Sequence, residues 1–375
     1  MAQRFLWAIL AKELNMMKQS KTRGVTRALA CVFALVLFAF SIASCQRGSE
    51  VPLSEGLKLI EGEPVFDEDV AMKTDRFTVT PGMMAYFFYT YGATVMAGME
   101  AQVPFDESKN LHGQAFNETQ SWYDVIMSET LSHVSYMLIC CEAAHAEGVA
   151  LTDAQRTEVD SAIQAYRMTA ASNYSMELTA YLQTLYGPRM TETDLREVLT
   201  LEALANSFSM AVSDRLEAGI TESAAEEYAT KNGLTDETPS RNIAYLFIPF
   251  ENGSAPAQKV ESAFAALQAA PVPETLQAQD FGTYGEEGNI TPENGGVKQI
   301  NEWLFAAERA VGDHARLDTA GATYLVIYTG NGASFAEVEA RRALFDNAFS
   351  AWYNDWVEQL TFGYNYECLD SYDVD

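Results

Sequence analysis

The sequence predicts an α+β protein: an all-helical module, a compact α+β domain after it, and a C-terminal helix. Three observations carry that expectation. Apolar residues recur at spacings of three and four from Ser121 to Gly219; two β-prone runs, NIAYLFIPF at Asn242 to Phe250 and ATYLVIY at Ala322 to Tyr328, follow Gly233; and an amphipathic stretch spans Phe335 to Leu360. A chain of 375 residues that is 48% hydrophobic can bury one or two cores, which excludes disorder and collagen-like repetition. With 24 Lys+Arg against 52 Asp+Glu, its formal charge of −28 repels phosphate backbones, and no nucleic-acid partner is expected.

The first 45 residues differ from the rest, holding six basic residues and one acid, Glu13. Lys18 to Arg27 reads as a basic n-region and Ala28 to Phe40 as the apolar h-region of a signal peptide. Met16 or Met17 is an alternative start to Met1. Ile42-Ala43-Ser44-Cys45 resembles a bacterial lipobox, in which the Cys thiol receives a diacylglycerol and becomes the new N-terminus. The 17 residues from Ala28 to Ser44 also sit at the lower edge of a membrane span, but the small residues before Cys45 favour the lipoprotein. Two acyl chains make a stable anchor at about 0.8 kcal/mol per buried CH₂.

The polar stretch from Gln46 to about Glu63 reads as a tether. Thr80-Pro81 is an N-cap followed by proline in the first turn, opening a helix from Pro81 to about Met99. Its Met and aromatic residues either pack a core or offer unfolded peptides an adaptable groove. Met127, Leu131, Val134, Leu138 and Cys141 form one buried stripe; Val159, Ile163, Tyr166 and Ala170 another; Val198, Leu201, Ala205, Phe208 and Val212 a third. Gly148, the capping box Thr152 with Gln155, and Gly187-Pro188 before Thr191 and Asp194 mark the boundaries, giving four to six helices between Pro81 and Gly233. Beyond Thr238-Pro239-Ser240 come the strand from Asn242, a helix over Ala257 to Ala269, a Gly- and Asn-rich loop over Tyr284 to Gly296, a helix near Ile300 to Ala307 and the strand from Ala322. The expected division is a signal peptide over 1–44, a tether over 45–63, the helical module over 64–237, the α+β domain over 238–332, and a C-terminal helix and tail over 333–375.

With Cys31 in the signal and Cys45 lipidated, Cys140, Cys141 and Cys368 remain, which is no disulfide framework. Cys141 and His145 share a helix face, but two ligands fall short of a zinc site, and His133 lies about 12 Å further along the axis. Neither metal nor cofactor is expected. No G-x-S-x-G, H-E-x-x-H or Walker-type loop occurs, and the acidic runs Asp67-Glu68-Asp69 and Glu286-Glu287 lack the oxygens of a calcium loop.

The order of these parts resembles the extracytoplasmic foldases of the PrsA and SurA type, in which a helical chaperone module accompanies a parvulin-type prolyl isomerase domain. GVALTDAQ at Gly148 to Gln155, GPRMTETDLREVL at Gly187 to Leu199 and GITESAAEEYATKNG at Gly219 to Gly233 echo the chaperone part. IAYLFI at Ile243 to Ile248 resembles the opening strand of parvulins, INEWLFAAERAVGDHARLDT at Ile300 to Thr319 their Phe-centred helix and following turn, and Ala322 to Tyr328 their last strand. Tyr245 and Tyr324 stand where parvulins carry two histidines, and Gly296 and Ile300 where the proline pocket has Met and Phe. The resemblance implies a protein-folding factor, lipid-anchored through Cys45 to the extracytoplasmic face of a bacterial cell membrane, that binds unfolded secreted polypeptides and has weak or no isomerase activity. Met83, Met84, Tyr86, Phe87, Phe88 and Tyr89 are the expected client contacts. The alternatives are an active peptidyl-prolyl isomerase using Tyr245 and Tyr324, and an envelope scaffold lipoprotein with one specific partner.

Overall fold

The computed structural model describes residues 60, 62–99, 103–106, 109–250, 257–319 and 321–372. The expected signal peptide, Cys45 and most of the expected tether lie outside them. The chain forms two units, one drawn from Val51–Asp214 and Ser350–Asp375, the other containing Arg215–Phe349.

The first unit is helical. Helix α1 (Pro81–Met99) opens where the Met83 amide donates to Thr80 Oγ1 at 3.1 Å. It is followed by α2 (Trp122–Ala146), α3 (Asp153–Thr169), a π-helical turn over Ala170–Tyr174, α4 (Leu178–Tyr186) and α5 (Glu192–Ala218). Reciprocal capping boxes form at Ser121 with Asp124 and Thr152 with Gln155. Asp194 joins two helix starts, accepting from the Thr191 amide at 2.9 Å, Thr191 Oγ1 at 2.6 Å and Thr80 Oγ1 at 2.6 Å. Gly82 makes that approach possible: a Cβ there would stand 2.7 Å from the Arg189 carbonyl oxygen. Asp194→Ala should cost about 2 kcal/mol, because two hydroxyls and an amide lose their acceptor at once; urea unfolding of the full chain measures it.

A small sheet orders as β1-β8-β2-β3, built from β1 (Gly62–Pro64), β2 (Met72–Lys73), β3 (Thr78–Val79) and β8 (Phe362–Tyr364). β8 pairs in parallel with β1, where the tether was expected, and antiparallel with β2. The C-terminal segment stays in this unit: Tyr123 Oη donates to the Leu369 carbonyl at 2.6 Å, and Tyr372 Oη to the Pro81 carbonyl at 2.8 Å.

In the second unit, α6 (Glu222–Asn232) precedes an antiparallel sheet ordered β5-β4-β7-β6. Its strands are β4 (Pro239–Pro249), β5 (Thr283–Ile290), β6 (His314–Asp318) and β7 (Ala322–Ser334), with α7 (Ala257–Ala269), α8 (Pro273–Gln277) and α9 (Lys298–Phe305) between them. Thr283–Ile290 is a strand where the Gly- and Asn-rich sequence predicts a loop. Helix α10 (Phe335–Gln359) begins in this unit and ends in the first, and α11 (Tyr366–Asp370) follows β8. Phe345, Phe349, Trp352 and Trp356 of α10 are half-buried. Among the described residues no helix is long and apolar enough to cross a membrane.

Candidate functional site

Strand alternation divides the four-stranded sheet into two unlike faces. Ala244, Leu246, Ile248, Leu325 and Ile327 point to one, which α7 and α8 cover with Val260, Ala263, Leu267 and Leu276. Ile243, Tyr245 and Phe247 point to the other and stand opposite Tyr328, Val326 and Tyr324 of β7. Glu287, Gly285 and Thr283 flank them on β5, and Leu317 lies opposite Tyr324 on β6. Helix α9 covers one end of this face by packing Ile300 and Leu304 against Ile243, Ile290, Val326 and Tyr328. The other end stays half-open, leaving Tyr245, Phe247, Tyr324 and Leu317 half-buried.

The rings there form one group. Tyr245 and Tyr324 have centroids 6.1 Å apart with planes at 57°, and Phe247 and Tyr324 are 5.2 Å apart at 51°. Gly285 gives Tyr245 its position, since a Cβ at Gly285 would stand 2.5 Å from the ring carbon Cζ and 2.6 Å from the hydroxyl. Burial raises the Tyr245 phenol pKa, with Glu287 adding to it; burial, then Tyr245 and Glu287, raise that of Tyr324. Desolvation raises the Glu287 carboxyl as well. Both phenols are therefore neutral hydrogen-bonding groups at physiological pH, set beside a carboxylate over an apolar floor. His314 pairs with Ile327 and belongs to the opposite side.

The sequence-predicted pair Tyr245 and Tyr324 is thus brought together. Gly296 is exposed ahead of α9, whereas Ile300 is 5% exposed and belongs to the core at the covered end. The expected client contacts need correction. Met83, Met84, Tyr86, Phe87, Phe88 and Tyr89 are all 7% exposed or less, because the first half of α1 is apolar on every side and is buried from Pro81 to Tyr89. Phe87 faces His133 of α2, Tyr86 faces Tyr186 of α4, and Phe88 meets Tyr123 and Tyr372. These side chains hold the helical unit together and present no surface to a client. Cys45 lies outside the described residues.

Sequence singles out none of Phe247, Leu317 and Gly285, and reads Glu287 only as part of a solvated acidic run. Alternation along IAYLFI puts Phe247 beside Tyr245, a signal that was available; Glu287 sits in a strand that sequence reads as a loop. Cys140 and Cys141 are buried, and burial pushes the Cys140 thiol up to about 12 and that of Cys141 up too, leaving neither as a reactive thiolate. No group of three or more potential metal ligands occurs among the described residues.

No protein-family model and no curated protein matches the chain. Solved structures similar to it include PrsA from Bacillus subtilis, at 14% identity and a TM-score of 0.32, covering 68% of this chain and 89% of that one. Foldase protein PrsA from Streptococcus pneumoniae aligns at 15% identity and a TM-score of 0.26, covering 68% of this chain and 91% of that one. A structure from the study of PEB4 and Cj1289, two SurA-like chaperones of Campylobacter jejuni, aligns at 12% identity and a TM-score of 0.25, covering 79% of this chain and 98% of that one.

Proposed function

We propose that this chain is an extracytoplasmic protein-folding factor, anchored by lipid on Cys45, that holds unfolded segments of secreted polypeptides on the half-open face of its second sheet. The observation that carries this reading is the group Tyr245, Phe247 and Tyr324, three half-buried rings on one side of a sheet. Such rings offer large apolar area at low conformational-entropy cost, and the two phenols can bond to the peptide groups of an extended chain. Holding of this kind needs contact area and hydrogen bonds, and it consumes no cofactor. The lipobox-like Ile42-Ala43-Ser44-Cys45 supports the location.

The full chain in detergent micelles, mixed at equimolar ratio with a chemically unfolded protein on dilution, should suppress its aggregation as followed by light scattering. Unchanged scattering would overturn the proposal, and stoichiometric capture of one folded envelope protein in its place would favour a scaffold role.

The pairing of Tyr245 with Tyr324 favours one further reading, prolyl isomerisation. An isomerase lowers a rotation barrier of about 18–20 kcal/mol by cradling the twisted amide with placed hydrogen bonds. In an NMR exchange assay on Ala-Pro peptides, acceleration that falls in Tyr245→Phe and Tyr324→Phe supports it; no acceleration by folded protein leaves the face a holding surface alone.

A further inference from the structure

We infer that the half-open sheet face selects extended polypeptide segments carrying a lysine or arginine, seating the cation among Tyr245, Phe247 and Tyr324 against Glu287. This rests on the polypeptide-holding reading and adds to it the class of segment held.

Two observations point to a cation rather than to any apolar side chain. The three rings lie together on one face with centroid separations of 6.1 and 5.2 Å, and a ring face attracts a positive charge placed within about 6 Å of its centroid. Glu287 pairs opposite Ile243, one position along the same face from Tyr245, on the exposed edge strand. Among the described residues its carboxylate makes no hydrogen bond or ion pair. Its neighbour Glu286 points to the other side, where Tyr284 Oη donates to it.

Nearby cations are committed elsewhere. Arg241 donates to the Leu304 and Ala307 carbonyls, and Arg309 to that of Trp303. Arg316 pairs with Glu261 and Asp318, Lys298 with Glu302, and Lys259 lies over Phe281. A negatively charged edge strand is a common guard against aggregation. Glu287 differs from a plain guard in lying on the same sheet face as the aromatic group, so a cation bound there meets rings and carboxylate together. The chain's formal charge of −28 draws basic segments toward it over a longer range.

The test titrates the full chain in detergent with a fluorescein-labelled, unstructured peptide carrying one arginine between apolar residues, and with the same peptide carrying citrulline, which keeps the shape and loses the charge. Fluorescence anisotropy should show the arginine peptide bound about tenfold more tightly, and Glu287→Gln should reduce that preference to about twofold. Tyr324→Leu should weaken the arginine peptide more than the citrulline peptide. Circular dichroism of both variants should match the parent chain, since Glu287 is on an exposed edge and Tyr324 is half-buried. Equal affinities for the two peptides, or a preference unchanged in Glu287→Gln, overturns the inference. Concentration-dependent self-association that competes with both peptides would put a second copy of the chain on the face and overturns it too. Aggregation suppression with equal peptide affinities defeats this inference alone; absence of suppression and of peptide binding defeats the holding function beneath it.

Discussion

Glu142→Ala should destabilise the helical unit by about 3 kcal/mol, which for a unit of this size lowers the melting temperature by about 10 °C. Glu142 is 1% exposed on α2 and accepts three bonds from the hairpin of β2 and β3: Thr74 Oγ1 at 2.7 Å, the Arg76 amide at 3.0 Å and Arg76 Nη1 at 3.1 Å. Removing the carboxylate leaves the buried Thr74 hydroxyl without its acceptor and opens space against α2. The Arg76 side chain is 52% exposed, and Arg76→Ala should cost under about 1 kcal/mol, because water receives the guanidinium and the other two bonds persist. Glu142→Gln keeps an acceptor and should fall between. Thermal unfolding of the three variants reads the order directly, and an Arg76→Ala loss equal to that of Glu142→Ala would show that the ion pair, rather than the buried acceptor, holds the hairpin.

The second large effect is on pH. Burial raises the Glu202 carboxyl to about 8 and lowers His133 to about 4, both inside the helical unit. Glu202 is half-buried on α5, and its charge acts on Tyr86 and Tyr91 of α1; His133 lies 4.3 Å from the Tyr91 ring, and its Nε2 has no hydrogen-bond partner. A carboxyl whose folded pKa lies above its unfolded value keeps its proton longer when folded, so stability declines as pH rises from the unfolded value through about 8. A histidine with a depressed pKa acts oppositely: stability is lost as pH falls from about 6.5 through about 4. Between roughly pH 4.5 and 6.5 the two contributions oppose each other, and above that range only Glu202 acts. The parent chain should lose about 2 kcal/mol between pH 6.5 and 8.5, a loss that Glu202→Gln abolishes. Urea unfolding across that range checks it, and the same decline in Glu202→Gln would place its origin elsewhere.

The helices were legible in sequence because their signals are local. The Thr152 and Gln155 box, the stripe from Met127 to Cys141, and the Thr191 and Asp194 pair each lie within a few turns of the helix they define. Of the small sheet only β3 was legible, in the β-prone run Arg76 to Val79; the rest was not, because Gly62 meets Phe362 across the length of the chain and strands of two or three residues have no period to read. β5 was hidden by composition: Gly285, Gly288 and Asn289 read as loop, yet Gly285 is there because the Tyr245 ring occupies the space above it. With the strand hidden, the alternation that puts Glu287 on the Tyr245 face could not be read from its acidic run. Tyr245 and Tyr324 could be paired in advance through their places in the two strong strands. The burial of the expected client contacts has a physical reason as well: the first half of α1 is apolar around its circumference and is enclosed, whereas the face left open belongs to a strand where Tyr245 and Phe247 alternate with the buried Leu246.

Site-specific photo-crosslinking tests the proposed polypeptide-holding role of this face most directly. A photoreactive phenylalanine analogue is placed at Phe247 in the full chain, and separately at Glu158, an exposed position on α3. Each protein is irradiated with an unfolded client. Adducts from position 247 that diminish with excess unlabelled client, against background levels from position 158, are the expected result; equal adducts from both positions, or none from 247, would contradict it.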